Sequence, residues 1–82
     1  MYQVELIQTR GDNEGMSIRG AAGALPQAGE SFGMLFGKPN ERSAISTTPV
    51  LHVDEIDGVV FFETRNSSYL LRVMKSAEES VA

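Results

Sequence analysis

His52 is the only histidine in the chain, so any imidazole-based acid–base or metal chemistry must pass through it. Asp54 follows two residues later, and the hairpin register worked out below sets Glu63 across the strand pair. Two carboxylates and an imidazole are a donor set for a small cation or a proton relay. A His–Glu pair across two strands is also ordinary sheet decoration, worth roughly 0.2–1 kcal/mol. Ser46 or Ser67 would complete a Ser–His–Asp constellation, yet neither stands in a context that activates a nucleophile. The expectation is a protein without catalytic residues, metal or cofactor.

Two polar clusters carry a different chemistry. Residues 42–48 read Arg-Ser-Ala-Ile-Ser-Thr-Thr before Pro49, and residues 64–69 read Thr-Arg-Asn-Ser-Ser-Tyr. Guanidiniums grip anions bidentately, hydroxyls and an amide add donors, and a tyrosine ring offers a surface for a base. The candidate ligand-binding set is Arg42, Ser46, Thr47, Thr48, Thr64, Arg65, Asn66, Ser67 and Tyr69. Its ligand would be a small anion, a cyclic nucleotide for example. The strand preference of threonine and the turn preference of Asn and Ser account for the same residues without a ligand.

Three shorter matches fall away. Residues 33–39, Gly-Met-Leu-Phe-Gly-Lys-Pro, approach a phosphate-binding Walker loop, but the spacing is one residue short. Pro39 also stands where the magnesium-binding Ser or Thr belongs. Arg10-Gly11-Asp12 reads as a glycine turn after a strand rather than an adhesion tripeptide. Asn66-Ser67-Ser68 fits the N-glycosylation sequon, and is better read as a turn.

The elements that position these residues follow from one turn. Asp57-Gly58 is a strong signal for a two-residue type I′ hairpin, which needs positive φ at both positions. It pairs Ile56 with Val59, Asp54 with Phe61 and His52 with Glu63. Side chains alternate with period two, so Leu51, Val53, Val60 and Phe62 share a core face broken only by Glu55. A second turn at Asn66-Ser67 adds Tyr69, Leu71 and Val73 to that face, making residues 45–74 a three-stranded meander. The other face is mixed: Val50, His52, Asp54, Ile56, Phe61, Glu63, Leu70, Arg72 and Met74. On it Phe61, Leu70 and Met74 form a candidate protein interface. Residues 48–50 would lie alongside 64–67, making the two polar clusters neighbours.

Upstream, residues 2–9 alternate as a half-buried strand and residues 10–15 form a turn. Residues 16–19 make a short strand, and 20–24 are too glycine-rich for a helix. In residues 31–37, Phe32, Met34 and Phe36 share one face opposite Gly33, Leu35 and Gly37. Glycines on one strand face mark a bend, a bulge or a close backbone approach. Residues 38–43 read as a polar loop. The expected fold is all-β: a small, strongly bent antiparallel sheet or barrel of five to six strands, SH3-like or OB-like. Residues 1–75 would form one β domain and 76–82 a flexible tail.

Composition narrows the function. An 82-residue chain buries only roughly 60% of its unfolded surface, and this one has no cysteine to brace it. Self-association is the remaining reinforcement, and a homo-oligomer is expected. With net charge −4 and seven scattered basic residues, the basic patch of a nucleic-acid binder is missing. No apolar run reaches the ~20 residues of a spanning helix, and residues 1–5 lack the pattern of a signal peptide. A cytoplasmic protein without membrane contact is expected.

The chain also resembles a set of small bacteriophage and prophage proteins. The resemblance rests on Leu25-Pro26, Gly29-Glu30-Ser31-Phe32, residues 45–50 (Ile-Ser-Thr-Thr-Pro-Val) and residues 63–71 (Glu-Thr-Arg-Asn-Ser-Ser-Tyr-Leu-Leu). It covers about two-thirds of the chain, judged on these short stretches. It implies a β-rich phage accessory protein acting in the host bacterial cytoplasm. Such proteins counter host defence by sequestering a signalling nucleotide or by occupying a host protein. Three readings are carried forward: an anionic-ligand binder, a module that binds and inhibits a host protein through Phe61, Leu70 and Met74, and an enzyme centred on His52, in that order.

Overall fold

A computed structural model describes residues 1–38 and 40–75. The tail expected at 76–82 lies outside the described residues. Seven strands form one sheet: β1 (Tyr2–Arg10), β2 (Ser17–Ala22), β3 (Ser31–Lys38), β4 (Glu41–Pro49), β5 (His52–Ile56), β6 (Val59–Glu63) and β7 (Ser68–Lys75). Their order is β4-β3-β2-β1-β7-β6-β5, and every neighbouring pair is antiparallel.

The two edges, β4 and β5, are consecutive in sequence, with only Val50 and Leu51 between them. Two residues cannot span the width of a flat seven-stranded sheet, so the sheet bends until its edges meet at one corner. There the Val50 N–H donates to the Glu30 carbonyl at 2.9 Å, and the Gly29 N–H donates to the Val50 carbonyl at 2.7 Å. The next residue turns to the other half: the Leu51 N–H donates to the Glu63 carbonyl at 2.8 Å. Across the bend Phe32 of β3 meets Phe62 of β6 with ring centroids 5.3 Å apart. In a flat sheet those strands would be about 19 Å apart, four strand spacings. The sheet is strongly bent but not closed.

Bulges supply the bend. On β1–β7, Gln8 pairs with Tyr69 and Arg10 with Ser68, leaving Thr9 as an extra residue. At the other end Gln3 pairs with Lys75 and Val4 with Val73, leaving Met74 as the extra one. On β4, Thr47 and Thr48 together stand opposite Phe32, between the pairs Gly33–Ser46 and Ser31–Pro49. Extra residues of this kind bend a strand and raise its twist. The concave side holds Val4, Leu6, Ala22, Phe32, Met34, Val50, Val60, Phe62 and Leu71, all buried.

The first hairpin forms as the dipeptide dictates. Asp57 and Gly58 take φ of 51° and 81°, and Ile56–Val59, Asp54–Phe61 and His52–Glu63 are paired. The second turn is longer than expected. Glu63 pairs with Ser68 around the four-residue loop 64–67, closed by the Thr64 N–H donating to the Ser67 carbonyl at 2.8 Å. A tight turn at Asn66-Ser67 would have paired Arg65 with Ser68. The register moves by two residues, an even number, so Tyr69, Leu71 and Val73 keep the core face.

Two expectations are corrected. Leu51 is 63% exposed rather than core, because the chain changes sheet halves at this corner and Val50 takes the buried place. Residues 41–43 are strand rather than loop: Lys38 pairs with Glu41 and Gly37 with Arg42. Edge strand β4 lies largely in solvent, so it needs no apolar alternation to declare it. These changes turn the expected five or six strands into seven.

Gly20 marks the tightest approach between β2 and β3: a methyl there would run into the Leu35 carbonyl oxygen. Gly20→Ala is therefore expected to lower unfolding free energy by about 3 kcal/mol in chemical denaturation. Gly23→Ala, where an added methyl meets nothing within 4 Å, should leave the midpoint unchanged.

Candidate functional site

Four of the nine expected ligand residues, Thr47, Thr64, Ser67 and Tyr69, serve the fold. The Thr47 hydroxyl accepts the Phe32 N–H at 3.0 Å and donates to the Thr48 carbonyl at 2.7 Å. It replaces the ladder partner that the bulge removes, so this threonine satisfies a backbone donor beside the core. Thr64 is buried at the start of the β6–β7 loop. The Ser67 hydroxyl accepts the amide of buried Gln8 at 2.9 Å, and the same amide lies 3.2 Å from the Arg10 carbonyl. Gly11, at φ 131°, lets the chain pass this network, since a methyl there would strike both Gln8 and Ser67. Tyr69 stacks on Phe62, centroids 4.9 Å and planes 18° apart, so one ring face is already used.

The clusters are also apart in the sheet. Thr48 and Pro49 leave the line of β5 to follow β3, while the 64–67 loop sits against the end of β1. Arg65, Asn66, Ser46 and Thr48 remain exposed. Of the expected ligand residues, Ser46 and Tyr69 line depressions of about 320 and 210 Å³ that hold no guanidinium, and Arg42 lines one that gathers a second arginine.

That depression is an open groove of about 380 Å³ on the outer face of the sheet. Arg42, Arg19 and Gln3 line it together with Ala21, Leu35 and Met74. Gly37 stands across the ladder from Arg42 and leaves the floor without a side chain. Glu5 organises the neighbouring charge. Its direct cross-strand partners are Arg19 on β2 and Arg72 on β7. The Arg19 Nε lies 3.8 Å and the Arg72 Nη1 3.5 Å from its carboxylate, which also accepts the Ser17 hydroxyl at 2.9 Å. Both guanidiniums are more than half exposed, so each pair adds only about 0–1 kcal/mol. Two guanidiniums thus share one carboxylate, and Arg42 has no ion-pair partner among the described residues.

On the other half of the outer face, the His52 Nε2 lies 3.3 Å from the Asp54 Oδ2, both side chains being over 60% exposed. Glu63 stands across from His52, and its carboxylate is 3.9 Å from the Arg10 Nη2. Among the described residues no group of three or more His, Cys, Asp or Glu side chains is arranged to hold a metal ion. Phe61 and Leu70 are direct cross-strand partners, and Ile7 stands beyond Leu70. They form an outward apolar row. Met74 is separate from it, lining the arginine groove as the bulge residue.

Arg19 and Gln3 were not among the residues expected from sequence. An arginine in a short strand carries no mark of its neighbours, and the β1–β2–β3–β4 ladder alone brings it near Arg42. No protein-family model matches the chain, and no curated protein and no solved structure is significantly similar to it.

Tyr69→Ala is expected to cost about 3 kcal/mol through the lost ring packing, whereas Tyr69→Phe should be nearly neutral. Thr47→Val should cost about 1–2 kcal/mol by stranding the Phe32 N–H. Denaturant titration checks both.

Proposed function

We propose that this protein is a non-catalytic binding protein that holds a small anion of nucleotide size in the Arg19–Arg42 groove. The observation that carries the reading is the local excess of guanidinium over carboxylate around an open groove of about 380 Å³. That volume falls within the roughly 300–1,000 Å³ of small-molecule sites. Arg42 and Arg19 suit phosphate oxygens, the Gln3 amide suits a base or sugar edge, and Leu35, Ala21 and Met74 offer apolar floor. Sequestration needs affinity and no reaction, which agrees with the exposed, sheet-surface setting of His52. On the resemblance to phage proteins, the ligand is a host signalling nucleotide, cyclic for example, and the setting is the bacterial cytoplasm. Among the described residues no helix is long and apolar enough to cross a membrane.

A second reading has its own observation. Phe61, 40% exposed, lies directly across from Leu70 on the outer face. This row suits a module that occupies and inhibits a host protein, because an aromatic beside an aliphatic side chain is the material of an interface centre.

Titration calorimetry against cyclic mono- and dinucleotides, ATP and inorganic phosphate separates the two. Arg42→Ala and Arg19→Ala should each weaken nucleotide binding about 10- to 100-fold, one charge-assisted contact apiece. Phe61→Glu should leave it unchanged. Absence of heat with every probe at millimolar concentration would discard the anion reading. Loss of a host-protein complex in Phe61→Glu alone would put the second in its place.

A further inference from the structure

The two edges of the sheet are not equivalent. β5 (His52–Ile56) carries Asp54 and Glu55, with Asp57 just beyond it in the turn. A strand added there by a second copy would meet like charge, a common protection of free edges. β4 is longer, and residues 43–48 of it, Ser-Ala-Ile-Ser-Thr-Thr, have no charge. Nothing covers its outer side among the described residues, and its own Ala44 and the adjoining Leu35 of β3 lie exposed.

We propose that β4 pairs antiparallel with β4 of a second copy, joining two bent sheets across a two-fold axis at Ile45. Ile45 is the midpoint of Glu41–Pro49, and this register pairs the regular stretch 43–47, which ends at the Thr47–Thr48 bulge. A two-fold axis normal to the sheet keeps the outer faces continuous, which requires opposed residues to be of like parity. Ala44 then faces Ser46 of the partner subunit, and Ser43 faces Thr47 of the partner subunit. No two like charges are opposed, and Ser/Thr pairs across strands are favourable. Pro49, which has no N–H to donate, falls beyond the paired stretch. A second copy is the occupant chosen because the uncharged stretch 43–47 of β4 is compatible with itself, whereas β5 opposes like charges. The face-to-face alternative is poorer, since the outer surface is the convex side of the bend and two convex faces touch over little area.

Sedimentation equilibrium of the full chain from micromolar to millimolar concentration tests the pairing. The native chain should show twice the chain mass at the upper end. Ala44→Lys combined with Ser46→Lys opposes four ammonium groups at the axis and should weaken association at least about tenfold, several screened like-charge contacts. Ala44→Lys combined with Ser46→Glu sets opposite charges across the same axis and should restore the dimer. Both positions are exposed, and circular dichroism should show an unchanged fold. In the native chain, amide exchange within 43–47 should slow as concentration rises. A native monomer at all concentrations would overturn the proposal, as would equal association in the two double variants or concentration-independent exchange in β4.

Discussion

The structure depends on the two-residue link at Val50 and Leu51. It ties together the opposite edges of a single sheet, and a flat sheet cannot satisfy it. Val50 is fully buried with both backbone groups bonded to the β3 side, and Leu51 is bonded to β6. The corner is thus held by hydrogen bonds and by one apolar side chain, and the rest of the bend follows. Phe32 and Phe62 can meet only because the sheet folds over on this hinge.

A sheet forced into such curvature must place its irregularities, and here they coincide with its polar residues. The Thr47–Thr48 bulge would orphan the Phe32 N–H, and the Thr47 hydroxyl takes it. The Thr9 bulge lies beside the Gln8–Ser67 bond that fastens the β6–β7 loop to β1. Buried amides and hydroxyls are tolerated when fully bonded, and no buried side-chain N or O among the described residues lacks a partner. Residue types that resemble a ligand site in sequence can therefore be the joints of a bent sheet. The hydroxyls of Thr47 and Ser67 and the ring of Tyr69 belong to the joints, and Arg42 to the groove.

The outer face divides by charge for the same topological reason. Strand β1 sits at the middle of the sheet, and its Glu5 is flanked on both sides by arginines. Moving toward β4 the surface becomes basic around the groove. Toward β5 it turns apolar at Leu70 and Phe61, then acidic at Asp54. The basic groove and the apolar row lie on different halves of the sheet, and the bend points those halves in different directions.

Features that depend on neighbours along the chain were legible before any packing was known. Asp57-Gly58 set the first hairpin, since positive φ at both positions is a local preference, and the register of β5 with β6 followed by counting. The shared core face of Val60, Phe62, Leu71 and Val73 survived even a two-residue error in the second turn, because period two is blind to even slips. Strand packing alone turns Leu51 to solvent, sends Thr48 along β3 rather than with β5, and brings Arg19 and Gln3 to Arg42. Each of these turns on which strands are adjacent. Adjacency is set by closing loops and burying one common core, and no short stretch of sequence carries that information.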